Sequence, residues 1–557
     1  MSICLGHFNI QRYRFYTGLI LIDSLIQYVS RYSHRSNFRF VLLLIPIALS
    51  AFTHLWNLDG FPSIYRDEDH YLRKTLHVLS GLGPQEKSDE LLSYPLHPYT
   101  HPYFGQLFLA AILGGVGYPD SINPSVEPSS IKEIFLVPRM LIGILAILDT
   151  FLLFKITERR YGTTTAVIAS ILFAVMPLTW LIRRIWLEPI QLPFLLASIL
   201  VAMYLKDYES KGRIVYVLGT VSGVLFGLAI FTKIPIFTLI PLIIYVIYSN
   251  SKNWKLVGTW LAPVVLIPLL WPLFAILNGE YDQWVDGLLW QSERENMGIT
   301  GAFGKLFAID PVLLLLTLAG TLYAVVKARD LFIILWFVPF ILFNLLSGYV
   351  SYWHPVPLFP AFCIGSAILI SNISKLLPNH KIGKVLPYVF VLGIGTYGLI
   401  VTIMLVTLNL TSFHYQVISG IANQIQNANT GSISDDSKEY TNKNGVTVLG
   451  TNYWLWIPKY IFDRDGINEF RNYYNGEDIA TKKVILVVGK DFVNDMTRDN
   501  HTKYNIEKLR QLLTKSDLLT VIKDNQSNSL QDNKYPFNSL TNLDPNPITR
   551  IEINTNY

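Results

Sequence analysis

Three adjacent carboxylic acids, Asp67-Glu68-Asp69, stand where side chains of this type can do acid–base chemistry. Neighbouring acids repel and raise one another's pKa values unless a cation, a basic side chain or a substrate hydroxyl engages them. They are therefore candidate general bases, able to take a proton from an acceptor hydroxyl. The same stretch ends in two histidines, His97 and His101, each before a proline. Proline pushes the residue before it out of helical geometry, so these imidazoles sit on extended backbone, either lining a polar cavity or serving as interface anchors. A third cluster is Arg183-Arg184-Ile185-Trp186-Leu187-Glu188-Pro189. Arginine grips phosphate oxygens through a planar fork, although two such cations also snorkel to head groups or pair with Glu188. Lys233, with no acid beside it in sequence, asks for an anionic group nearby or snorkels in the same way. His354 opens a further apolar run within Tyr352-Trp353-His354-Pro355.

The elements that must position these groups are set by composition. Of 557 residues, 51% are hydrophobic and only 15% charged, against roughly 25% charged in a soluble domain, and the mean hydropathy is +0.35. No single buried core accounts for that, so most of the chain faces lipid. The net charge of +5 is small and dispersed, which excludes a nucleic-acid partner. Cys4 and Cys363 are too differently placed to form a disulfide.

Measured against the roughly 20 apolar residues that cross a bilayer, eleven spans are expected near 39–58, 134–154, 163–181, 189–205, 214–231, 235–249, 256–277, 311–326, 331–349, 355–373 and 386–408. Tyr103 to Gly117 is only 15 residues long and holds four glycines, which suits a juxtamembrane helix better than a crossing. With that segment left out and the N-terminus in the cytoplasm, the strongly basic connections share the inner side, in accord with the positive-inside rule. They are Arg12/Arg14/Arg31/Arg35, Lys155/Arg159/Arg160, Lys206/Lys211/Arg213, Lys252/Lys255, Lys327/Arg329 and Lys375/Lys381/Lys384. The acids, the histidines, both arginines and Lys233 then lie on the outer side.

The expected organisation is a cytoplasmic segment 1–38, a transmembrane domain 39–409 with a first outer loop at 59–102 and the juxtamembrane helix at 103–117, and an extracytoplasmic domain 410–557. That last part holds no span. Strand-like runs at Val446–Leu449, Val484–Val488 and Leu518–Ile522, with helical patterns at Tyr415–Ile425 and Ile506–Leu513, make it a small α/β unit whose last 30 or so residues read as poorly ordered. In the first outer loop Glu86, Asp89 and Glu90 read as solvated acids, whereas Asp67 leads into an amphipathic helix carrying Leu72, Leu76 and Leu79 on one face.

The order of these motifs resembles the membrane glycosyltransferases of the GT-C fold, particularly the dolichyl-phosphate-mannose protein mannosyltransferases and their aminoarabinose-transferring relatives. The resemblance covers about residues 40 to 375. It rests on Asp67-Glu68-Asp69-His70-Tyr71, His101-Pro102-Tyr103-Phe104-Gly105-Gln106, Arg139, Arg183 or Arg184 with Glu188-Pro189, Gly227 to Lys233, and His354 to Pro360. It implies a polytopic α-helical membrane enzyme that moves a mannose-like sugar from a polyprenyl-phosphate carrier to a protein, glycan or lipid acceptor. Asp67 is then the base and Glu68 assists orientation, with Tyr71, His101, Arg183, Arg184, Glu188, Lys233 and His354 binding substrate. No metal ligand is assigned, but a divalent cation near Asp67 and Glu68 is chemically conceivable. Two departures stand out: Gln106 stands where a lysine is frequent, whose charge Arg73 or Lys74 would have to supply, and the C-terminal domain lacks the β-trefoil-like module of eukaryotic protein mannosyltransferases, so a protein acceptor in particular is not implied. There is also no Trp-Trp-Asp motif, which argues against the catalytic oligosaccharyltransferase subunit.

The expected chemistry is a single inverting displacement in which the carrier phosphate leaves without protonation, so the second acid of a glycoside hydrolase is unnecessary. The rival from another class is a multi-pass transporter or lipid-linked sugar flippase without transferase chemistry. A transporter places ionisable groups at mid-bilayer, whereas the only acid well inside a span, Asp149, lies nearer the cytoplasmic half.

Overall fold

A computed structural model describes residues 36–84, 99–208, 212–294, 298–347, 349–373, 380–430, 446–450, 452–463, 467–469, 483–488 and 550–554. The N-terminal segment up to residue 35, His97, Glu86, Asp89, Glu90, and the runs Ile506–Leu513 and Leu518–Ile522 lie outside the described residues.

Each of the eleven apolar stretches is helical. Among the described residues, six helices are long and apolar enough to cross a membrane, or eight if each of two bent pairs counts as one span. One bent pair, Thr163–Val175 with Pro177–Arg183, turns by 66° because Pro177 cannot donate into the preceding turn. The other, Gly298–Ile309 with Pro311–Val326, turns by 118°. Arg39–Leu55, Leu331–Leu346 and Val356–Asn372 are shorter apolar helices. Phe104–Gly115, at 12 residues, spans roughly 18 Å and is too short to cross, as its glycines foretold. Helices from Pro128–Tyr161 to Leu187–Tyr204 form the interior, while Leu386–Val406 presents most of its surface outward. Packing in lipid favours small residues at helix crossings. The helices Pro311–Val326 and Phe359–Asn372 show this, since a Cβ on Gly320 would lie 2.1 Å from the Gly365 carbonyl oxygen.

The ends of the bundle differ in charge. At one, Arg159 meets Asp207 and Arg160 meets Asp330, joining the basic connections. At the other converge the loop after the opening helix Ser36–Leu55, the helix Arg66–Leu79, the 177–188 bend, Lys233 and residues 349–356.

Beyond the last apolar helix, Ser412–Thr430 leads to a four-stranded sheet. Its strands are β1 (Val446–Gly450), β2 (Ile467–Glu469), β3 (Lys483–Val488) and β4 (Arg550–Asn554), in the order β2-β1-β3-β4. β1 runs parallel to both β2 and β3, with Val448 opposite Ile485, and β4 runs antiparallel to β3. β4 falls within the last 30 or so residues, where Ile551 and Ile553 alternate with polar residues, a period-two pattern suited to a sheet edge.

Candidate active site

The site is assembled on the loop Asn57–Tyr65 and on the helix it feeds. That helix starts at Arg66, so Asp67, Glu68 and Asp69 all fall in its first turn, where the unsatisfied N–H groups favour negative charge. Glu68 is fully buried and accepts from the Tyr65 backbone N–H at 3.0 Å. Arg139, eleven residues into the helix Pro128–Tyr161, donates to both Glu68 oxygens: Nε to Oε1 at 3.0 Å and Nη2 to Oε2 at 2.7 Å. The Ile185 N–H reaches Oε1 at 3.2 Å. Arg139 Nη1 gathers the carbonyls of Leu58 and Pro62 at 2.9 and 2.8 Å. One guanidinium thereby fixes both the loop path and the carboxylate, a bidentate arrangement that is strong when desolvated.

The two arginines of the 183–188 bend divide. Arg183 donates from Nη1 to Thr53 O at 2.8 Å and from Nη2 to Trp56 O, satisfying carbonyls at the end of the opening helix. Both terminal nitrogens of its guanidinium are thereby engaged by backbone. Arg184 donates from Nη1 to Ser63 O at 2.6 Å, lies 3.5 Å from Glu68 Oε2 and sits 5.3 Å from each ring of Tyr65, Trp180 and Trp186. It joins the Arg139–Glu68 pair, so of the acidic triplet and the arginine pair it is Glu68 and Arg184 that meet.

Glu188 Oε1 accepts from Lys233 Nζ. The anionic group that Lys233 asks for is thus a carboxylate of the protein itself, 45 residues earlier in sequence and one helix away in space. Gln191 Nε2 bonds the Ala229 and Lys233 carbonyls at 2.7 and 2.6 Å, holding the two helix ends in register.

Around this pair the remaining predicted residues face one another. Tyr71 and His101 have ring centroids 6.4 Å apart. Desolvation, reinforced by Lys233, Lys74 and Arg294, holds His101 well below its ordinary pKa, and desolvation with Lys233, His101 and Arg294 does the same for His354. His70 is also lowered, by desolvation and then by Lys74 and Arg73. All three imidazoles are neutral near pH 7. Asp67, half-buried, lies close enough that its charge adds to burial in raising the phenols of Tyr65 and Tyr71. Tyr352 is pushed up to about 12, chiefly by burial, against the pull of Arg184.

Sequence reasoning left two functional candidates unassigned. Arg139 appeared only as a motif, although an arginine inside an apolar span is itself the signal of an acid partner. Arg294, at the end of the helix Tyr281–Glu293, lies 3.8 Å from the Tyr349 ring and 4.6 Å from the Trp290 ring. Gln291, which accepts from Arg294 at 3.3 Å, also donates to Thr100 O at 3.1 Å, so this helix is folded back over the His101 turn. No short sequence pattern reports that return.

The donor set is poor for a divalent cation between Asp67 and Glu68, since both Glu68 oxygens are occupied by Arg139. Among the described residues no group of three or more His, Cys, Asp or Glu side chains is arranged to hold a metal.

Residues 132–276 match the family model described as dolichyl-phosphate-mannose-protein mannosyltransferase. No curated protein matches the sequence significantly. Among solved structures, the Archaeoglobus fulgidus oligosaccharyltransferase in its apo form is similar at a TM-score of 0.52 with 12% identity, over 82% of this chain and 70% of that one. ArnT from Cupriavidus metallidurans, bound to undecaprenyl phosphate, is similar at a TM-score of 0.50 with 12% identity, over 84% and 96%. The fold is that of the GT-C membrane glycosyltransferases, and the chain resembles the mannosyltransferase family in the matched segment, as its motifs implied.

Proposed function

We propose that this chain is a membrane glycosyltransferase that moves a mannose-like sugar from a polyprenyl-phosphate carrier to an acceptor hydroxyl. The observation that carries this reading is the convergence of one half-buried carboxylate, Asp67, with Lys233, Arg294 and three neutral histidines at one end of the bundle. The mannosyltransferase match and the carrier-bound ArnT likeness support a lipid-phosphate donor.

In this reaction the acceptor oxygen attacks the anomeric carbon, the bond from that carbon to the phosphate oxygen breaks, and its electron pair leaves with the phosphate. Configuration inverts. Asp67 receives the hydroxyl proton, and Lys233 and Arg294 stabilise the charge growing on the phosphate. Glu68 does not transfer a proton; held by Arg139, it fixes the turn that presents Asp67. The side chains of His101, His354 and Tyr71 line the sugar site as neutral hydrogen-bonding groups. The site faces outward, with the N-terminus in the cytoplasm and the C-terminal sheet on the outer side, because the opposite end carries the basic connections.

A transport reading draws on Asp149, whose two oxygens are buried and without a hydrogen-bond partner among the described residues. One experiment separates the two. Purified protein in vesicles receives polyprenyl phosphate carrying a radiolabelled sugar. Appearance of label on a soluble acceptor hydroxyl, with release of polyprenyl phosphate, is the expected result; label that changes leaflet while staying on its carrier would establish transport instead.

A further inference from the structure

The chain that follows the last apolar helix returns to the start of the first loop. Asn57 Nδ2 donates to the carbonyls of Val406 and Leu408 at 2.7 and 2.8 Å, and Leu410 N to Gly60 O at 2.8 Å. The Tyr415 hydroxyl donates to Asp59 O at 3.1 Å, and Thr411 Oγ1 donates to the same carbonyl. These bonds stitch the C-terminal part to residues 57–60, the stretch whose Leu58 carbonyl Arg139 also holds.

The contact continues behind Arg139. Phe135, one helical turn before it, is fully buried under three rings: His414 at 5.9 Å, Tyr415 at 6.0 Å and Trp456 at 5.9 Å between centroids. Trp456 belongs to the helix Asn452–Tyr460 and has no exposed surface. That helix also packs on Arg66–Leu79, and Leu72, Phe135, Tyr415, Leu455, Trp456 and Ile457 share one apolar cluster. The helix Arg66–Leu79 is thus tied to the long helix Pro128–Tyr161 through Glu68–Arg139 and touched by the C-terminal part through the helix Asn452–Tyr460, while it packs chiefly on Phe104–Gly115. An ion pair such as Glu68–Arg139 keeps its geometry only while water is excluded and its neighbours are packed.

We propose that Trp456 and Tyr415 are positioning residues for the transfer site: the C-terminal segment clamps the Arg139–Glu68 pair from behind and thereby sets the Asp67 carboxylate. The C-terminal part is then a component of the catalytic frame and not an appended recruiting module. This rests on the proposed function for its kinetic readout, and on the packing alone for its structural one.

The full-length protein carrying Trp456→Ala, Trp456→Phe or Tyr415→Phe is compared with wild type in carrier-to-acceptor transfer. A displacement on the order of 1 Å costs up to about a hundredfold in rate. Trp456→Ala is expected to lower kcat by roughly tenfold or more with KM for the carrier-linked sugar within about twofold, and Trp456→Phe, which keeps a ring on Phe135, to recover most of it. An unchanged kcat, or a loss confined to KM, overturns the proposal. Tyr415→Phe removes a single hydroxyl and serves if Trp456→Ala does not fold; an unchanged kcat there overturns the clamp equally. Amide hydrogen exchange supplies the readout independent of activity. Faster exchange at residues 58–68 in the Trp456 and Tyr415 variants supports the clamp, and unaltered exchange refutes it. If the wild type moves no sugar at all, the functional reading falls while the exchange result still decides the clamp.

Discussion

At one end of the helix bundle Arg160 donates to Asp330 at 2.7 Å; at the other Arg139 donates to Glu68 at the same distance. The pairs are chemically alike and do different work. The Arg160 and Asp330 side chains keep 26% and 10% of their surface exposed, and the neighbouring Arg159 and Asp207 keep 26% and 47%. Those pairs tie helix ends together beside water. Arg139 and Glu68 expose nothing, and the carboxylate also accepts from two backbone N–H groups. An ion pair near water contributes little, whereas a desolvated one holds its surroundings to a single geometry and is costly to break. The buried pair is the frame; the half-exposed pairs are fasteners.

The contrast is broken or sharpened by four substitutions and titrations. The largest effect belongs to Glu68→Gln, which strands the Arg139 charge in the interior and is expected to cost about 3–5 kcal/mol, read as loss of monodisperse protein or a large fall in Tm. Next is Arg294→Met. A charged hydrogen bond to phosphate is worth about 1.5–3 kcal/mol, so binding of polyprenyl phosphate should weaken by roughly ten- to a hundredfold with Tm unchanged; equal affinity would remove Arg294 from the carrier site. The third is a pH effect. His70, His101 and His354 have folded-state pKa values below the ordinary 6.5, so the unfolded chain binds more protons at acid pH. Their contribution to stability is complete above about pH 6.5 and declines as pH falls below it. Tm should accordingly drop on acidification, less steeply in His354→Gln than in wild type. The smallest effect is expected from Asp330→Asn at the basic end, about 1 kcal/mol or less; a loss as large as that of Glu68→Gln would erase the distinction between the ends.

Much of this was legible in the sequence, for definable reasons. Hydropathy locates helices because lipid demands it, and Asp67, His101, Lys233 and His354 could be placed at one end because loop charges fix the alternation of spans. Partners were not legible. Glu68 and Arg139 are 71 residues apart, Lys233 and Glu188 are 45 apart, and Arg294 reaches Tyr349 only because Gln291 folds its helix over Thr100. Arg183 and Arg184 look equivalent side by side, yet one turn of backbone sends the first to helix-end carbonyls and the second to Glu68. The strand at Arg550–Asn554 was not read from the sequence, because its two alternating isoleucines are embedded in polar composition.

Since Glu68 is held in the buried ion pair and Asp67 is the proposed base, the decisive measurement is sugar transfer from polyprenyl phosphate by purified Asp67→Asn, with Tm and carrier affinity recorded alongside. Loss of a general base should cut transfer by about 10²–10⁴-fold while Tm and affinity stay at wild-type values. Transfer at the wild-type rate by a folded, carrier-binding Asp67→Asn protein would contradict the account.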